Sequence, residues 1–514
     1  MTHAPRVSRR RSLRLGLLTA TAVTVLPLAA CGGEASQPRS QSATPISTVL
    51  RVGAADATNS TGLDPRTASS GASIIVMRHV YDSLMVLDGD EYQLALAESV
   101  QPNTDATRWT VRIRDGVKFH DGRPVRAADV AYSLRTLATP PSNRASVYQD
   151  VDATKIKVID ERTVEIPLKH PRADFPESTL VVYSPIFPDG TTDFGKAIGS
   201  GPYRLDQSDD RAVLLTATGT HWSGPSTVRQ LEISRIADPA ARLNAVKSGQ
   251  IDYAVGISAA GAQAERSNPA LTVQRGGPAN SSALSFAMNQ RLEPFDDPRV
   301  RRAVRLAADR QALVDNALLG FGSPADDVVG KGLPGYAAGI GGRTRDVATA
   351  RKLFQEAGVT ELTLRAGEIV PGMMSAARLL AQQLEEAGVK LTVQEVPADT
   401  YYADLKSLAT HPFQAFYYSN RPAAVHLAAV THKTAPFNVT GTGPDHWKRL
   451  AAAQVTTDDA ERARAFEELQ LDLYESGGDL LWGFAEQLDL SRAGVTGVRV
   501  SQSIPMFDRA ALGQ

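Results

Sequence analysis

Apolar and polar positions change period several times along this 514-residue chain. Residues 109–113 (Trp-Thr-Val-Arg-Ile) alternate with a period of two and predict a strand. Leu50-Arg51-Val52-Gly53-Ala54 and Thr163-Val164-Glu165-Ile166 read the same way. Residues 74–84 follow helical spacing with Ile75, Val76, Val80 and Leu84 inward, after a turn-rich stretch at 56–66. Asp238-Pro239 supplies an N-cap and a proline for the first helical turn, and Gly249 closes that helix. Asp297-Pro298 repeats the device before Val300, Val304, Ala307 and Leu313. Ser375 is placed to cap a helix with Leu380, Leu384 and Ala387 inward, closed by Gly388, after which 389–396 alternate as a strand. Asp458 or Asp459 opens a helix with Phe466, Leu469 and Leu473 on one face. Helices and strands thus alternate along the chain, which predicts a mixed α/β protein. No tandem repeat is visible, nor are the eight evenly spaced βα units of a TIM barrel.

One apolar run stands apart. Arg6, Arg9, Arg10, Arg11 and Arg14 precede an apolar stretch at 15–30, which ends in Leu28-Ala29-Ala30-Cys31-Gly32. A basic start, a short apolar centre interrupted by Pro27 and small residues before a cut site describe an export signal rather than a membrane span. The single cysteine of the chain stands directly after the small residues, as in a bacterial lipobox, so Cys31 is the expected site of lipidation. Ser8-Arg9-Arg10-Arg11-Ser12-Leu13 also resembles a twin-arginine signal, leaving two export routes open. Residues 31–47, rich in Gly, Ser and Pro, read as a flexible tether.

Charge and composition narrow the function. At about 150 residues per domain the length predicts about three domains. The whole chain has a net charge of −1. Residues 1–30 hold five of its 55 basic and none of its 56 acidic residues, so the exported chain carries about −6. Nothing in that balance calls for nucleic acid as a partner. One cysteine excludes an intramolecular disulfide and a cysteine-built zinc cluster.

Catalytic signatures are absent from the pattern. No Gly-x-Ser-x-Gly elbow or His-Glu-x-x-His occurs, and Gly330-Lys331-Gly332 lacks the rest of a phosphate-binding loop. His411, His426, His432 and His446 share one segment, but none is paired at helical spacing. They read as surface or turn residues, with one axial ligand to a bound metal chelate as the functional alternative. No metal or cofactor of the protein's own is expected, and no enzymatic activity; a secreted hydrolase is the alternative from another class.

A series of motifs then comes in order: Leu63-Asp64-Pro65, Tyr81-Asp82-Ser83-Leu84, and Gly116-Val117-Lys118-Phe119-His120-Asp121-Gly122-Arg123-Pro124-Val125 with Ala128-Asp129-Val130. Gly199-Ser200-Gly201-Pro202-Tyr203, His221-Trp222-Ser223-Gly224 and Pro294-Phe295-Asp296-Asp297-Pro298-Arg299-Val300-Arg301 continue it. The set resembles the family 5 solute-binding proteins of ABC importers, with oligopeptide, dipeptide and nickel members, over about residues 48–514.

The resemblance implies an α/β, two-lobed periplasmic-binding-protein-like fold (class II, cluster C type) with an extra α/β domain. One lobe would combine 48–84, 180–280 and 485–514; the extra domain would span 85–179 and the second ligand-closing lobe 281–484. It implies a monomeric lipoprotein, held outside the bacterial cell membrane by its lipid, that captures a peptide or peptide-like solute and delivers it to a membrane permease. An anionic metal chelate of the nickel type is the alternative ligand. A sensing role for the same clamp is also open. Peptide-binding members hold the peptide amine with an Asp after a strand. The matching residues here, 413–422, contain none, and Arg421 lies there instead. A cation at that place favours a carboxylate over an ammonium group. Tyr417 and Tyr418 are candidate cleft walls, and Ser69, Ser70 and Gly71 match a ligand-contacting loop. Arg144 and Tyr148 are placed to reach the cleft from the extra domain, and His426 is a candidate for the chelate histidine.

Overall fold

The computed structural model describes residues 49–513, except 57–62, 69–70, 90, 182–183, 338, 399, 405–406, 434 and 436. The export signal, Cys31 and the tether lie outside the described residues, as do Ser69 and Ser70.

Strand Val49–Ala54 sits in the middle of a seven-stranded sheet. It runs parallel to Gln230–Arg235 on one side, with Val52 opposite Ile233, and to Tyr253–Ala254 on the other. Leu50, Val52 and Ala54 are fully buried. The helix read at 74–84 runs instead from Gly71 to Val80. Its start is docked on the end of the first strand, where Ala72 N donates to Ala55 O at 2.7 Å. A Cβ on Gly71, which has φ +51°, would stand 1.5 Å from that same oxygen. Its end is fixed by the turn at Gly199 and Gly201: Gly201 N donates to Val80 O at 2.9 Å. Leu84, read as the last helical residue, is buried beyond the helix.

A second sheet has six strands in the order Gly322–Pro324, Asp479–Glu486, Ser281–Met288, Phe413–Ser419, Glu361–Ala366 and Lys390–Glu395. Leu284, Phe286 and Trp482 form its core with the helices Pro298–Ala307, Val347–Ala357 and Met373–Glu386. Asp297 caps its helix as read, accepting from Arg299 N at 2.8 Å. The apolar spacing that continues to Leu313 is nevertheless broken: Asp309 caps a new helix, Arg310–Ala317, by accepting from Ala312 N at 2.9 Å. Ser375 is no cap. The helix there begins after Gly372, and the Glu368 carboxylate takes up its free amides, Gly372 N at 2.7 Å and Met374 N at 2.9 Å. Asp458, not Asp459, caps the helix Asp459–Ser476.

A third, antiparallel sheet of Ala97–Pro102, Arg108–Ile113, Thr163–Pro167 and Lys157–Val158 carries helix Ala127–Leu137. Its Trp109, Val111 and Leu134 belong to one continuous apolar core with Leu50, Val52 and Ile75 of the first sheet. The long motif around Phe119 is structural: Val117, Phe119 and Val125 enter this core. His120 bridges the 199–201 turn, its ring reaching Gly201 O at 3.0 Å and Gly199 N at 3.3 Å.

The chain passes between the two large sheets twice, at 276–280 and at Gln487. The crossings are bonded to each other: Gly276 N donates to Gln487 O, and Gln487 N to Asn280 O, both at 2.9 Å. Arg275 grips Glu486 with two bonds of 2.8 and 2.7 Å beside them. The result is two lobes, each built on one large sheet and joined by a short two-stranded connection.

Candidate functional site

The strand Phe413–Ser419 lies inside the second sheet, between Ser281–Met288 and Glu361–Ala366. Its period of two splits the aromatic run. Phe413 and Tyr417 face the core that holds Trp482, while Phe416 and Tyr418 face the opposite side. Tyr417 is half-buried, with the Tyr402 ring 6.3 Å away. Tyr418 is buried and donates its hydroxyl to Asp479 Oδ1 at 3.2 Å.

Asn420 follows the strand and is bonded on both ends of its amide. Oδ1 accepts from Gly330 N at 2.7 Å, and Nδ2 donates to Pro278 O and to Lys331 O, each at 2.8 Å. One side chain thus ties the strand end to the interlobe crossing and to the 330–331 loop. Its place in the sequence carries no charge to mark it, since an Asn stands where an acid would signal a binding group. Arg421 comes next and is exposed.

Pro422 then starts a short helix, Ala423–His426, continued by a π-helical turn, Leu427–Thr431. His426 is buried, and its ring stands edge-on to Tyr418 with centroids 5.1 Å apart. Burial, helped by the charge of Arg421, pushes its pKa down to about 3, so the ring is neutral. Its Nδ1 has no hydrogen-bond partner. The ring lines a cavity with Asp327, Thr431, Thr440, Gln470 and Asp479. Asp479 accepts from Ser285 Oγ at 2.6 Å as well as from Tyr418, and burial pushes its carboxyl up to about 6. Among the described residues no group of three or more His, Cys, Asp or Glu is arranged to hold a metal ion.

The other predicted contacts belong to the first lobe. Arg144 is buried, and its guanidinium donates to Pro65 O at 2.9 Å and Ala68 O at 2.5 Å, with Met77 Sδ at 3.4 Å. Tyr148 is 1% exposed and part of the core. The structure therefore places Arg144 behind the 64–68 turn, as its support, and Tyr148 in the core of the first lobe. A guanidinium that holds two carbonyls fixes the turn leading into Gly71, and through it the start of the first helix. Tyr418 and His426 are brought together.

Two α/β lobes connected by a pair of chain crossings have the architecture of a clamp. Residues 91–447 match the model of bacterial extracellular solute-binding proteins, family 5. The chain belongs to that family, whose members are solute-binding components of ABC importers. It is 29% identical over 369 residues to the glutathione-binding protein GsiB of Salmonella typhimurium, covering 68% of this chain and 70% of that one. Its fold is that of NikA from Brucella suis, solved in complex with Fe(III)-EDTA (TM-score 0.77, 19% identity, 90% of this chain and 99% of that one). The periplasmic binding protein DppA from Helicobacter pylori, solved with the peptide STSA, shares it too (TM-score 0.69, 18% identity, 91% and 98%). Among the described residues no helix is long and apolar enough to cross a membrane.

Proposed function

We propose that this chain is a lipoprotein, anchored through Cys31, that captures a small peptide or peptide-like solute between its lobes and hands it to a membrane permease. Kinship with a relative named for binding glutathione, a tripeptide, carries the reading of the ligand class. The lobes would be 48–84 with 180–280 and 485–514 on one side and 281–484 on the other, with 85–179 appended to the first. The solute would meet Ser69, Ser70 and Gly71 from the first lobe and Tyr417 and Arg421 from the second. Arg421 favours a solute that presents a carboxylate there. A ligand that touches both lobes binds the closed state better and shifts the population further toward it.

A second reading has one specific observation behind it. His426 offers a neutral ring nitrogen without a partner, the form of imidazole that ligates metals. With no metal-binding group of three or more His, Cys, Asp or Glu among the described residues, a metal would have to arrive as a chelate carrying most of its own ligands.

Thermal-shift measurements separate the readings. Glutathione, a tripeptide library and histidine-chelated nickel are each added in excess. A ligand at 100 times its Kd stabilises the protein by about 2.7 kcal/mol. Stabilisation by peptides supports the first reading, stabilisation by the chelate alone supports the second, and turnover of any of them would refute both.

A further inference from the structure

The two lobes meet a second time, away from the crossings. Residues 173–180 lie between the small third sheet and the first lobe, and Pro176–Leu180 forms a single π-helical turn. That turn packs on the short helix Ala423–His426 of the second lobe. Beside it, Ala173 N donates to Gln454 O at 2.7 Å, near the end of helix Pro444–Val455. Glu177 Oε1 stands 3.5 Å from Arg462 Nη2, across 285 residues of chain.

Each side of this contact is held in place from behind. Arg172 grips Asp174 with bonds of 2.7 and 2.9 Å, donates to Ser178 Oγ at 3.1 Å and also pairs with Asp150. On the facing side Arg462 donates to Asp459 at 2.6 Å and to Thr456 O at 3.1 Å. Glu177 and Arg462 are therefore presented to each other by two stiffened segments, which lowers the entropy lost when they meet. Burial is substantial: the side chains are 23% and 11% exposed, and Glu177 Oε2 is enclosed without a partner. Every group in the contact belongs to the protein.

We propose that residues 173–180 and the corner between the helices Pro444–Val455 and Asp459–Ser476 form a latch that closes the clamp without a solute, so that capture begins with its release. The inference rests on the clamp reading of the fold but not on the identity of the solute. Hinge motion at the two crossings must separate this contact, because it joins the lobes at a second place. A latch of this kind lowers the apparent affinity by the fraction of molecules that are open, and slows the escape of a solute once it is inside.

The test uses the chain with Cys31→Ser, which removes its only thiol, and adds Ala173→Cys with Gln454→Cys. The protein is unfolded, dialysed free of any solute and refolded, and disulfide formation under a fixed oxidant is followed with time. The latch predicts that the bond forms readily with no solute present. It also predicts that Arg462→Glu, which sets a like charge against Glu177, slows formation about tenfold, and that Glu177→Arg added to it restores the rate. As an independent readout, small-angle scattering of the solute-free protein without the added cysteines should show a larger radius of gyration for Arg462→Glu than for the parent, with unchanged circular dichroism. A bond that forms only when solute is added, or rates and radii indifferent to Arg462→Glu, would overturn the proposal. Failure of every peptide and chelate to bind would refute the ligand reading and leave these rates unchanged, so the two failures are distinct.

Discussion

The Asp82 carboxylate accepts a hydrogen bond from the His221 ring at 3.0 Å, across 139 residues of chain. Its second oxygen accepts from Ser200 Oγ at 2.9 Å and from Trp222 Nε1 at 3.0 Å. Three of the motifs that mark the family in the sequence, Tyr81-Asp82-Ser83-Leu84, Gly199-Ser200-Gly201-Pro202-Tyr203 and His221-Trp222-Ser223-Gly224, therefore converge on one buried carboxylate. They are structural motifs, and they say nothing about the solute.

Removing that acceptor leaves three donors unpaired. Asp82→Ala is expected to lower stability by about 2–4 kcal/mol in urea unfolding, while Asp82→Asn, which keeps one acceptor oxygen, costs less. An Asp82→Ala protein as stable as the parent would contradict the account of these motifs.

Gly199 marks a close approach of two backbones. A Cβ there would stand 1.9 Å from Val80 O, whereas one on Gly341 meets nothing within 4 Å. Gly199→Ala is expected to cost about 3 kcal/mol or more, and Gly341→Ala almost nothing. Paired thermal melts of the two variants check this.

Acid should weaken the fold through its buried histidines. His79 donates Nδ1–H to Ile75 O at 2.7 Å and accepts from Phe507 N at 2.9 Å, so it is locked neutral, and burial lowers its pKa. Burial also lowers His446 to about 4 and His426 to about 3. The unfolded chain binds these protons near pH 6.5 and the folded chain does not, so the stability is present above pH 6.5 and falls as pH falls below it. For His426 the loss at pH 5 is about 2 kcal/mol. A His426→Phe variant should show a shallower fall in melting temperature between pH 7 and 5 than the parent.

Asp479 acts with the opposite sign. Its folded pKa of about 6 lies above the ordinary carboxylate range, so its contribution is full below about pH 4 and is lost as pH rises through 6. Asp479→Asn keeps an oxygen to accept from Ser285 and Tyr418 without the buried charge. It should raise stability at pH 7.5 by about 2 kcal/mol, with the gain vanishing near pH 4. A variant destabilised equally at both pH values would contradict this.

How far the sequence was legible depends on the range of the interaction. Asp238 and Asp297 cap their helices as read, and Asp458 is the cap of the two aspartates left open, because a cap and its amide lie within three residues of each other. Ser375 misled because the true cap, Glu368, reaches in from a loop, and apolar spacing through Leu313 hid the break at Asp309. The two-lobed fold was legible through motifs that local turns and close approaches require. The surroundings of Tyr418 and His426 were not: Asp479 reaches Ser285 across 194 residues, and nothing near either position announces it. Arg144 shows the same limit, since a guanidinium that binds carbonyls and one that faces a solute are the same letter.

Native mass spectrometry of the Cys31→Ser chain tests the central claim most directly. The protein is offered a tripeptide library with and without free carboxyl termini, and its native mass is compared with its denatured mass. The account predicts one bound peptide per chain, lost on denaturation, with the carboxylate-bearing peptides retained over their amidated forms and that preference abolished by Arg421→Gln. A chain that retains no peptide, or retains both forms alike, would contradict it.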